Sequence, residues 1–227
     1  MVTMWRLAIN IIAMLVVYVL CLFLPAGSFT WTAGWIYIVL MFGFTIALSI
    51  WLLKFNPDLL AERLSGIGKS GQKSWDKVFL ALTALAFFGW MVLMGLDAGR
   101  FHWSQVPPWL QWIGAVLLLA SFYIFFVTFR ENSYLSPAVR VQTDRGQTVI
   151  STGPYSFVRH PLYAGVIPFA FGTSLLLGSF YGLFGAVLIV VMVAWRAVQE
   201  ELVLERELEG YREYKQRVRY RFVPHLW

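Results

Sequence analysis

The chain has 227 residues, of which 59% are hydrophobic and only 13% are charged. A soluble domain usually carries about a quarter charged residues, so this composition excludes an ordinary soluble fold and indicates an integral membrane protein. The net charge of +6 comes without any groove-reading motif, so we expect it to face anionic lipid headgroups of the bilayer and predict no nucleic-acid partner.

Apolar runs long enough to cross ~30 Å of hydrocarbon recur along the chain. Four of them cover approximately residues 7–24, 33–53, 78–96 and 109–129. The next run, 162–195, is too long for one ordinary span, and the turn-forming residues from Gly178 to Gly182 would split it into two. We therefore predict an all-α integral membrane protein with about six transmembrane helices, of which the last two form a C-terminal hairpin.

The distribution of positive charge predicts how these spans are oriented. If the N-terminus is cytoplasmic, every Lys and Arg except Arg100 falls in the N-terminal segment, a cytoplasmic loop or the tail. Positively charged loops are retained in the cytoplasm. We therefore expect a multi-pass protein with both termini, loop 54–77 and loop 130–161 in the cytoplasm.

Two local features give no chemistry of their own. The stretch from Ser65 to Gly71 resembles a phosphate-binding loop, but Arg63 stands where that motif needs its first glycine and no strand precedes it, so we interpret it as a flexible basic loop. The single cysteine, Cys21, lies inside the first span. One thiol forms neither an internal disulfide nor a metal cluster, and we predict no metal site.

The most informative stretch runs from Gly153 to Tyr163 and leads directly into the apolar hairpin. Its sequence is Gly-Pro-Tyr-Ser-Phe-Val-Arg-His-Pro-Leu-Tyr. Gly and Pro fix a turn that leaves backbone groups free for a ligand. Pro161 suits the first turn of a helix, where its missing N–H costs nothing. Arg159 beside that helix start is a natural partner for a carboxylate.

A second polar cluster follows the hairpin, where Arg196, Glu200 and Glu207 are spaced to share one helical face. Each residue has an ordinary alternative: Arg159 could extend to lipid headgroups, and Arg196 with Glu200 could be a simple i,i+4 pair. Ionisable groups that converge near a membrane core more often have a function. The two clusters together therefore predict a site at one edge of the bilayer.

The order of these motifs resembles a known family. Gly-Pro-Tyr-x-x-x-Arg-His-Pro-x-Tyr, a hairpin, Arg-x-x-x-Glu-Glu and then Tyr-x-x-Tyr is similar to the isoprenylcysteine carboxyl methyltransferases, and the phospholipid N-methyltransferases share much of it. The resemblance covers about residues 138–227. It implies an S-adenosyl-L-methionine site built from a cytoplasmic loop and helix ends. It also divides the chain into a four-helix membrane region, 1–130, and a methyltransferase-like region, 131–227, with the cofactor loop, hairpin and tail.

The resemblance also implies a set of site residues. The cofactor would contact Gln147, Thr148, Val149, Ile150, Tyr155, Arg159, His160, Pro161, Leu162 and Tyr163. The eukaryotic members have His where this chain has Gln147. Arg196 would lie on the side of the lipophilic substrate, and Glu200 would lie between substrate and cofactor.

These features predict an integral-membrane methyltransferase that acts on a lipophilic or small acceptor, nominally the carboxyl of a prenylcysteine-like molecule. Methylation of a phospholipid amine or of a small thiol is the alternative within the same class. An NADPH-dependent reductase of the sterol type and a non-enzymatic membrane scaffold also remain open. We place the active site on the cytoplasmic side.

Overall fold

The computed structural model describes residues 4–65 and 71–227, and the regular structure within these ranges is entirely helical. Residues 66–70, most of the predicted basic loop, lie outside the described residues. The described α-helices are α1 (Met4–Ala26), α2 (Thr32–Phe55), α3 (Pro57–Leu64), α4 (Ser74–Met94), α5 (Pro108–Glu131), α6 (Pro161–Leu177), α7 (Phe180–Glu207) and α8 (Tyr211–Arg217). A π-helical segment, Gly95–Phe101, continues α4, and 3₁₀ turns occur at Thr143–Arg145 and Gly153–Ser156.

Five helices in the described part of the chain are long and apolar enough to cross a membrane. They are α1, α2, α4 with its π-helical extension, α5 and α7. The predicted all-α membrane architecture is therefore confirmed. Helix α6 is also apolar but has only 17 residues, which is at the lower end of the ~17–25 residues that a span needs. The count of six spans stays a prediction.

The predicted hairpin is present, and its turn is shorter than the glycine-rich run suggested. Only Gly178 and Ser179 separate α6 from α7. Gly178 has φ +82°, a left-handed conformation that glycine adopts without strain. The Ser179 hydroxyl accepts a hydrogen bond from the Gly182 backbone N–H at 2.9 Å and so caps α7.

Helices α5 and α6 approach each other through two glycines. A Cβ atom on Gly172 would lie 2.8 Å from the carbonyl oxygen of Gly114, and one on Gly114 would lie 2.8 Å from the carbonyl oxygen of Gly172. Small residues allow membrane helices to pack backbone against backbone. This contact fixes α6 along α5 and therefore positions the polar residues at the start of α6.

The hairpin turn is held by a buried carboxylate. Asp97 is fully buried and accepts hydrogen bonds from the backbone N–H and the hydroxyl of Ser104, at 2.8 and 2.7 Å. The Ser179 hydroxyl also donates to Asp97. A polar network in a low-dielectric interior rigidifies the fold when its members are satisfied. Asp97 thus joins the α4–α5 connection to the α6–α7 turn.

The segment after α8 returns across the start of α6. The backbone N–H groups of Arg159 and His160 donate to the carbonyl oxygens of Tyr220 and Arg221, both at 2.9 Å. Phe222 is buried between α6 and α7, beside Tyr163, Val193 and Ala197. The tail is therefore a part of the site's framework.

Candidate active site

A cavity of about 300 Å³ lies where α6 begins and α7 leaves the bundle. A volume of this size is at the lower end of the range for small-molecule sites. Of the site residues that the resemblance implies, all except Pro161 line it, whereas Glu207 of the second polar cluster does not. The cavity wall therefore contains residues of the loop before the hairpin and of the helix after it, as expected if the two polar clusters form one site. Whether these residues bind a cofactor stays a prediction.

Arg159 and His160 line this cavity and form a buried polar cluster with Glu201, which is itself not a lining residue. The Arg159 Nε donates to Glu201 Oε1 at 2.7 Å, and His160 Nε2 lies 3.2 Å from the same oxygen. The Arg159 Nη1 also donates to the carbonyl oxygens of Val218 and Arg219, at 2.7 Å each. Arg159 was expected to receive a ligand's carboxylate, but a carboxylate of α7 already occupies its Nε.

Glu201 is the centre of this cluster and was not among the predicted site residues. It is 2% exposed, and its second oxygen accepts from Arg221 Nε at 3.1 Å. Charge-assisted hydrogen bonds of this kind are about twice as strong as neutral ones. One carboxylate therefore ties the start of α6 and the tail to α7. The signal was present in the Glu200-Glu201 pair, of which only the first was selected.

Tyr163 and Glu200 form a second contact between α6 and α7. The Tyr163 hydroxyl donates to Glu200 Oε2 at 2.8 Å. The Tyr163 ring stacks on His160, with centroids 5.5 Å apart and an interplanar angle of 14°. The geometry holds one Glu200 oxygen toward Tyr163 while the residue remains on the cavity wall.

Arg196 pairs with a residue that the sequence did not predict. Its Nε donates to Asp76 Oδ1 at 3.0 Å, its Nη2 lies 2.9 Å from the same oxygen, and Nη2 donates to the Pro137 carbonyl at 2.6 Å. Asp76 is fully buried, and its other oxygen accepts from the Val139 N–H and from Gln72 Nε2, both at 2.9 Å. Asp76 therefore connects α4, α7 and the loop before α6.

The three acidic and basic residues expected on one face of α7 thus have three different partners. Arg196 bonds to Asp76, Glu200 to Tyr163, and Glu207 to Lys73 through an exposed pair at 2.6 Å. The described hydrogen bonds of Arg196 and Glu200 therefore run between helices and not along α7. This outcome favours the site interpretation over the ordinary i,i+4 pair.

Hydrogen bonds to Gln142 and Asn132 hold the two ends of the loop 147–155. The Gln147 side-chain oxygen accepts from the Gln142 N–H at 2.7 Å, and the Gln147 N–H donates to the Gln142 carbonyl at 3.2 Å. The Tyr155 hydroxyl accepts from Asn132 Nδ2 at 2.8 Å. Burial raises the pKa of Tyr155 well above its usual value, so its phenol stays neutral. Gln147 therefore closes the loop as well as lining the cavity.

Two buried hydrogen-bond donors on the cavity wall have no partner among the described residues. They are the hydroxyl of Tyr211 and the Nε of Arg140. The rest of the Arg140 guanidinium pairs with Glu62 at 3.3 Å and with Asp144 at 2.9 Å. Burial raises the pKa of Tyr211, which keeps its proton on the oxygen. A buried donor without a partner costs about 1–3 kcal/mol, so both atoms are suited to meet polar groups of a ligand.

Sequence reasoning also missed the site residues that come from the first half of the chain. Arg63 of α3 lines the cavity, and Asp76 of α4 holds Arg196. Both precede the resembling region 138–227, and contacts across such distances leave no local pattern. For Tyr211 and Tyr214 the signal existed, because the Tyr-x-x-Tyr motif was recognised but not assigned to the wall that it lines.

Comparisons with known proteins agree with the motif resemblance. A family model described as phospholipid methyltransferase matches residues 109–209. A protein-S-isoprenylcysteine O-methyltransferase of Schizosaccharomyces pombe is 27% identical over 89 residues, and one of Saccharomyces cerevisiae is 27% identical over 129 residues. These matches cover 37% and 54% of this chain, and 36% and 52% of the two relatives. The chain thus spans between a third and about half of the length of the curated relatives it matches. The predicted resemblance is confirmed.

Proposed function

We propose that the protein is an integral-membrane methyltransferase that uses S-adenosyl-L-methionine and acts on a lipophilic or small acceptor, nominally the carboxyl of a prenylcysteine-like molecule. The observation that carries this proposal is the cavity in which the motifs before and after the hairpin meet. The similarity to a family of phospholipid methyltransferases and to two isoprenylcysteine O-methyltransferases supports the same class of reaction.

The donors and acceptors of the cavity fit the methyl donor chemically. S-adenosyl-L-methionine supplies a methyl group activated on a sulfonium and carries an amine, a carboxylate, hydroxyls and an adenine ring. The unpartnered donors of Arg140 and Tyr211 suit its carboxylate or hydroxyls, and Glu200 suits a cationic group. Apolar side chains of Ile150 and Leu162 line the same cavity and suit a planar ring.

The residues themselves would act by positioning and by excluding water. Methyl transfer is an in-line displacement, so the protein contributes mainly by holding two reactants in contact. A carboxylate acceptor needs no general base, and Arg196, itself fixed by Asp76, would orient it. An amine acceptor would lose a proton, which Glu200 is placed to accept.

Methylation of a phospholipid amine, or of a small thiol, is the second candidate. The description of the matching family favours the phospholipid, and so does the presence of Glu200 as a base on the cavity wall. Incubation of the protein with isotope-labelled donor and lipid extract, followed by mass spectrometry, distinguishes a methyl ester from a methylated amine or thioether.

We also propose that the site and both termini face the cytoplasm. The cavity is lined by Arg63, Arg140, Arg159 and Arg196, which belong to the loops and tail that carry nearly all of the positive charge. Such segments are retained in the cytoplasm. The donor would then enter from the cytoplasm, and a lipophilic acceptor would enter from the bilayer.

Binding of the demethylated donor tests the proposal. S-adenosylhomocysteine at 100 times its Kd should stabilise the folded protein by ~2.7 kcal/mol, because it binds the folded state alone. Calorimetric titration should show binding of S-adenosylhomocysteine and none of NADPH. Tyr163→Ala should weaken this binding, whereas Tyr123→Ala, which removes an exposed tyrosine of α5, should leave it unchanged. If the protein binds NADPH saturably and does not bind S-adenosylhomocysteine, the methyltransferase proposal is wrong and a reductase takes its place.

A further inference from the structure

A second, larger cavity opens between the first helices of the bundle. Its volume is about 600 Å³, and it is bounded by α1, α2 and α3, with one residue each from α4 and α5. Its lining residues on α1 extend from Leu7 to Val17, and at 1.5 Å per residue this gives a groove about 15 Å long. That length is about half of the ~30 Å hydrocarbon thickness. The groove therefore fits an apolar chain that lies within one leaflet.

Arg63 belongs to both cavities. Its Nη1 donates to the Leu135 carbonyl at 3.3 Å, and its guanidinium lies 4.8 Å from the centre of the Phe129 ring. Leu7 and Leu52, which also line the groove, pack in one cluster with Phe129. Arg63 thus stands at the junction between an apolar groove and the polar cavity.

The charge of Arg63 is uncompensated, unlike that of its neighbours. Arg140, Arg159 and Arg196 pair with Glu62, Glu201 and Asp76, respectively. Among the described residues, none offers a carboxylate to Arg63. Desolvation, followed by the proximity of Arg196, lowers the pKa of Arg63 to about 10, which still leaves it cationic at neutral pH. An anion at this position would pair with a half-buried charge that no carboxylate of the described residues meets.

We propose that the groove binds the apolar chain of a single-chain amphiphilic acceptor, and that Arg63 binds the anionic headgroup of this acceptor and positions it at the methyl-transfer site. The inference rests on the proposed function, because it concerns the acceptor of that reaction. Three features of the groove match such an acceptor: the positive charge of Arg63 at one end, the largely apolar lining elsewhere, and the junction with the polar cavity. Arg63 acts as a positioning residue.

The headgroup arm of the test compares Arg63→Gln with Arg130→Gln, which changes an exposed arginine near the end of α5. The probe is N-acetyl-S-farnesylcysteine, and binding is measured by calorimetry as well as by methyl transfer. Loss of one charge-assisted hydrogen bond should weaken binding and raise KM by roughly 10- to 150-fold. Arg63→Lys should restore part of the affinity, and Arg130→Gln should behave as the wild type.

The chain arm compares neighbouring positions of α2. Ser49 lines the groove, whereas Ile50 is 61% exposed and does not line it. Ser49→Phe should fill the groove and raise KM for the farnesyl probe about 10-fold or more, since each buried methylene that is excluded loses ~0.8 kcal/mol. The same variant should leave nearly unchanged the KM for the short-chain probe, N-acetyl-S-(3-methylbut-2-enyl)cysteine. Ile50→Phe should leave both constants unchanged.

Cooperative thermal unfolding near the wild-type temperature reports that each variant is folded, whether or not the protein binds S-adenosylhomocysteine. Wild-type affinity for the farnesyl probe in both Arg63→Gln and Ser49→Phe would overturn the inference while leaving the methyltransferase proposal intact. Probe binding that is lost in both variants, in a protein that transfers no methyl group, would support the groove and overturn the proposed function. Co-purified two-chain phospholipid that the farnesyl probe fails to displace from the wild type would also overturn the inference.

Discussion

Asp76 and Arg196, 120 positions apart in the chain, form a buried ion pair in which Arg196 Nη2 lies 2.9 Å from Asp76 Oδ1. The pair links a helix of the first half of the chain to the helix that follows the hairpin. A buried pair of this kind determines where a charge lies, and loss of one partner is expensive even where the pair itself adds little stability.

Arg196→Met is expected to lower the free energy of unfolding by about 3–5 kcal/mol, because it leaves Asp76 buried without its cation. Asp76→Asn should also destabilise the protein. The double variant should lose less free energy of unfolding than the sum of the two single losses, and the difference, which is the coupling energy of the pair, should be ~0.5–3 kcal/mol. Thermal unfolding in detergent measures the three variants. Additive losses would mean that the pair is not formed.

The same comparison separates stability from the role of Arg196 in transfer. If Arg196 orients the acceptor, the double variant should keep most of its S-adenosylhomocysteine affinity and lose methyl transfer by roughly 10- to 150-fold, as expected for one charge-assisted hydrogen bond. Wild-type transfer by a folded double variant would reduce Arg196 to a structural role.

Glu201→Gln is expected to destabilise the protein and to weaken binding of S-adenosylhomocysteine. Glu201 accepts from Arg159 and Arg221 and lies beside His160, so the change leaves two arginines without their anion. The cost should be about 3–5 kcal/mol. Thermal unfolding and calorimetry measure the two effects. Glu209→Gln, which changes an exposed carboxylate beyond the end of α7, should alter neither.

Tyr211→Phe and Tyr214→Phe should have opposite effects on stability. The Tyr211 hydroxyl is buried and has no partner in the part of the chain that the structure describes, so its removal should leave the ligand-free protein equally stable or ~1 kcal/mol more stable. The Tyr214 hydroxyl donates to the Tyr155 carbonyl at 2.8 Å, so its removal should cost ~1 kcal/mol. If the Tyr211 hydroxyl binds the methyl donor, Tyr211→Phe should also weaken the binding of S-adenosylhomocysteine. Lower stability in unliganded Tyr211→Phe would contradict this assignment.

The sequence predicted the helices and the residues that line the cavity better than it predicted the partners of those residues. Long apolar runs and the Gly178 turn depend on local chemistry, so the spans and the hairpin could be predicted. The Gly153–Tyr163 motif was recognisable for the same reason. Asp76 and Arg63 could not be selected, because each is one ionisable residue near a span end, where such residues are common. Asp76 is distinguished by its burial and its partner far along the chain, and Arg63 by its place on the walls of two cavities. Composition and spacing encode neither feature.

Gly172→Ala should destabilise the α5–α6 contact. The added Cβ would meet backbone atoms of Gly114 and Leu118 at 2.8 Å, and backbone atoms cannot rotate away as a side chain does. The expected loss is ~1–3 kcal/mol in thermal unfolding. Gly43→Ala in α2 is the matched control, because no atom lies within 4 Å of the added Cβ. It should be neutral or stabilising, since alanine favours a helix more than glycine does.

Cysteine labelling would test the proposed orientation, and the single Cys21 makes a cysteine-free background simple to prepare. With Cys21→Ser as the parent, a membrane-impermeant maleimide should label Gln105→Cys from outside intact cells. Glu209→Cys should be labelled only after the membrane is opened. Both positions are exposed in the structure. The reverse pattern would place the cavity on the outer side of the membrane.

The contacts between the start of α6 and the tail have a consequence for synthesis of the protein on the ribosome. Arg159 is held by carbonyls up to 60 positions later in the chain, so α6 and α7 can enter the membrane before the groups that orient Arg159 exist. A nascent chain that already contains the whole hairpin therefore presents Arg159 and Glu201 without the tail around them. Assembly of the complete cavity wall is therefore a late event, because it requires synthesis of the tail.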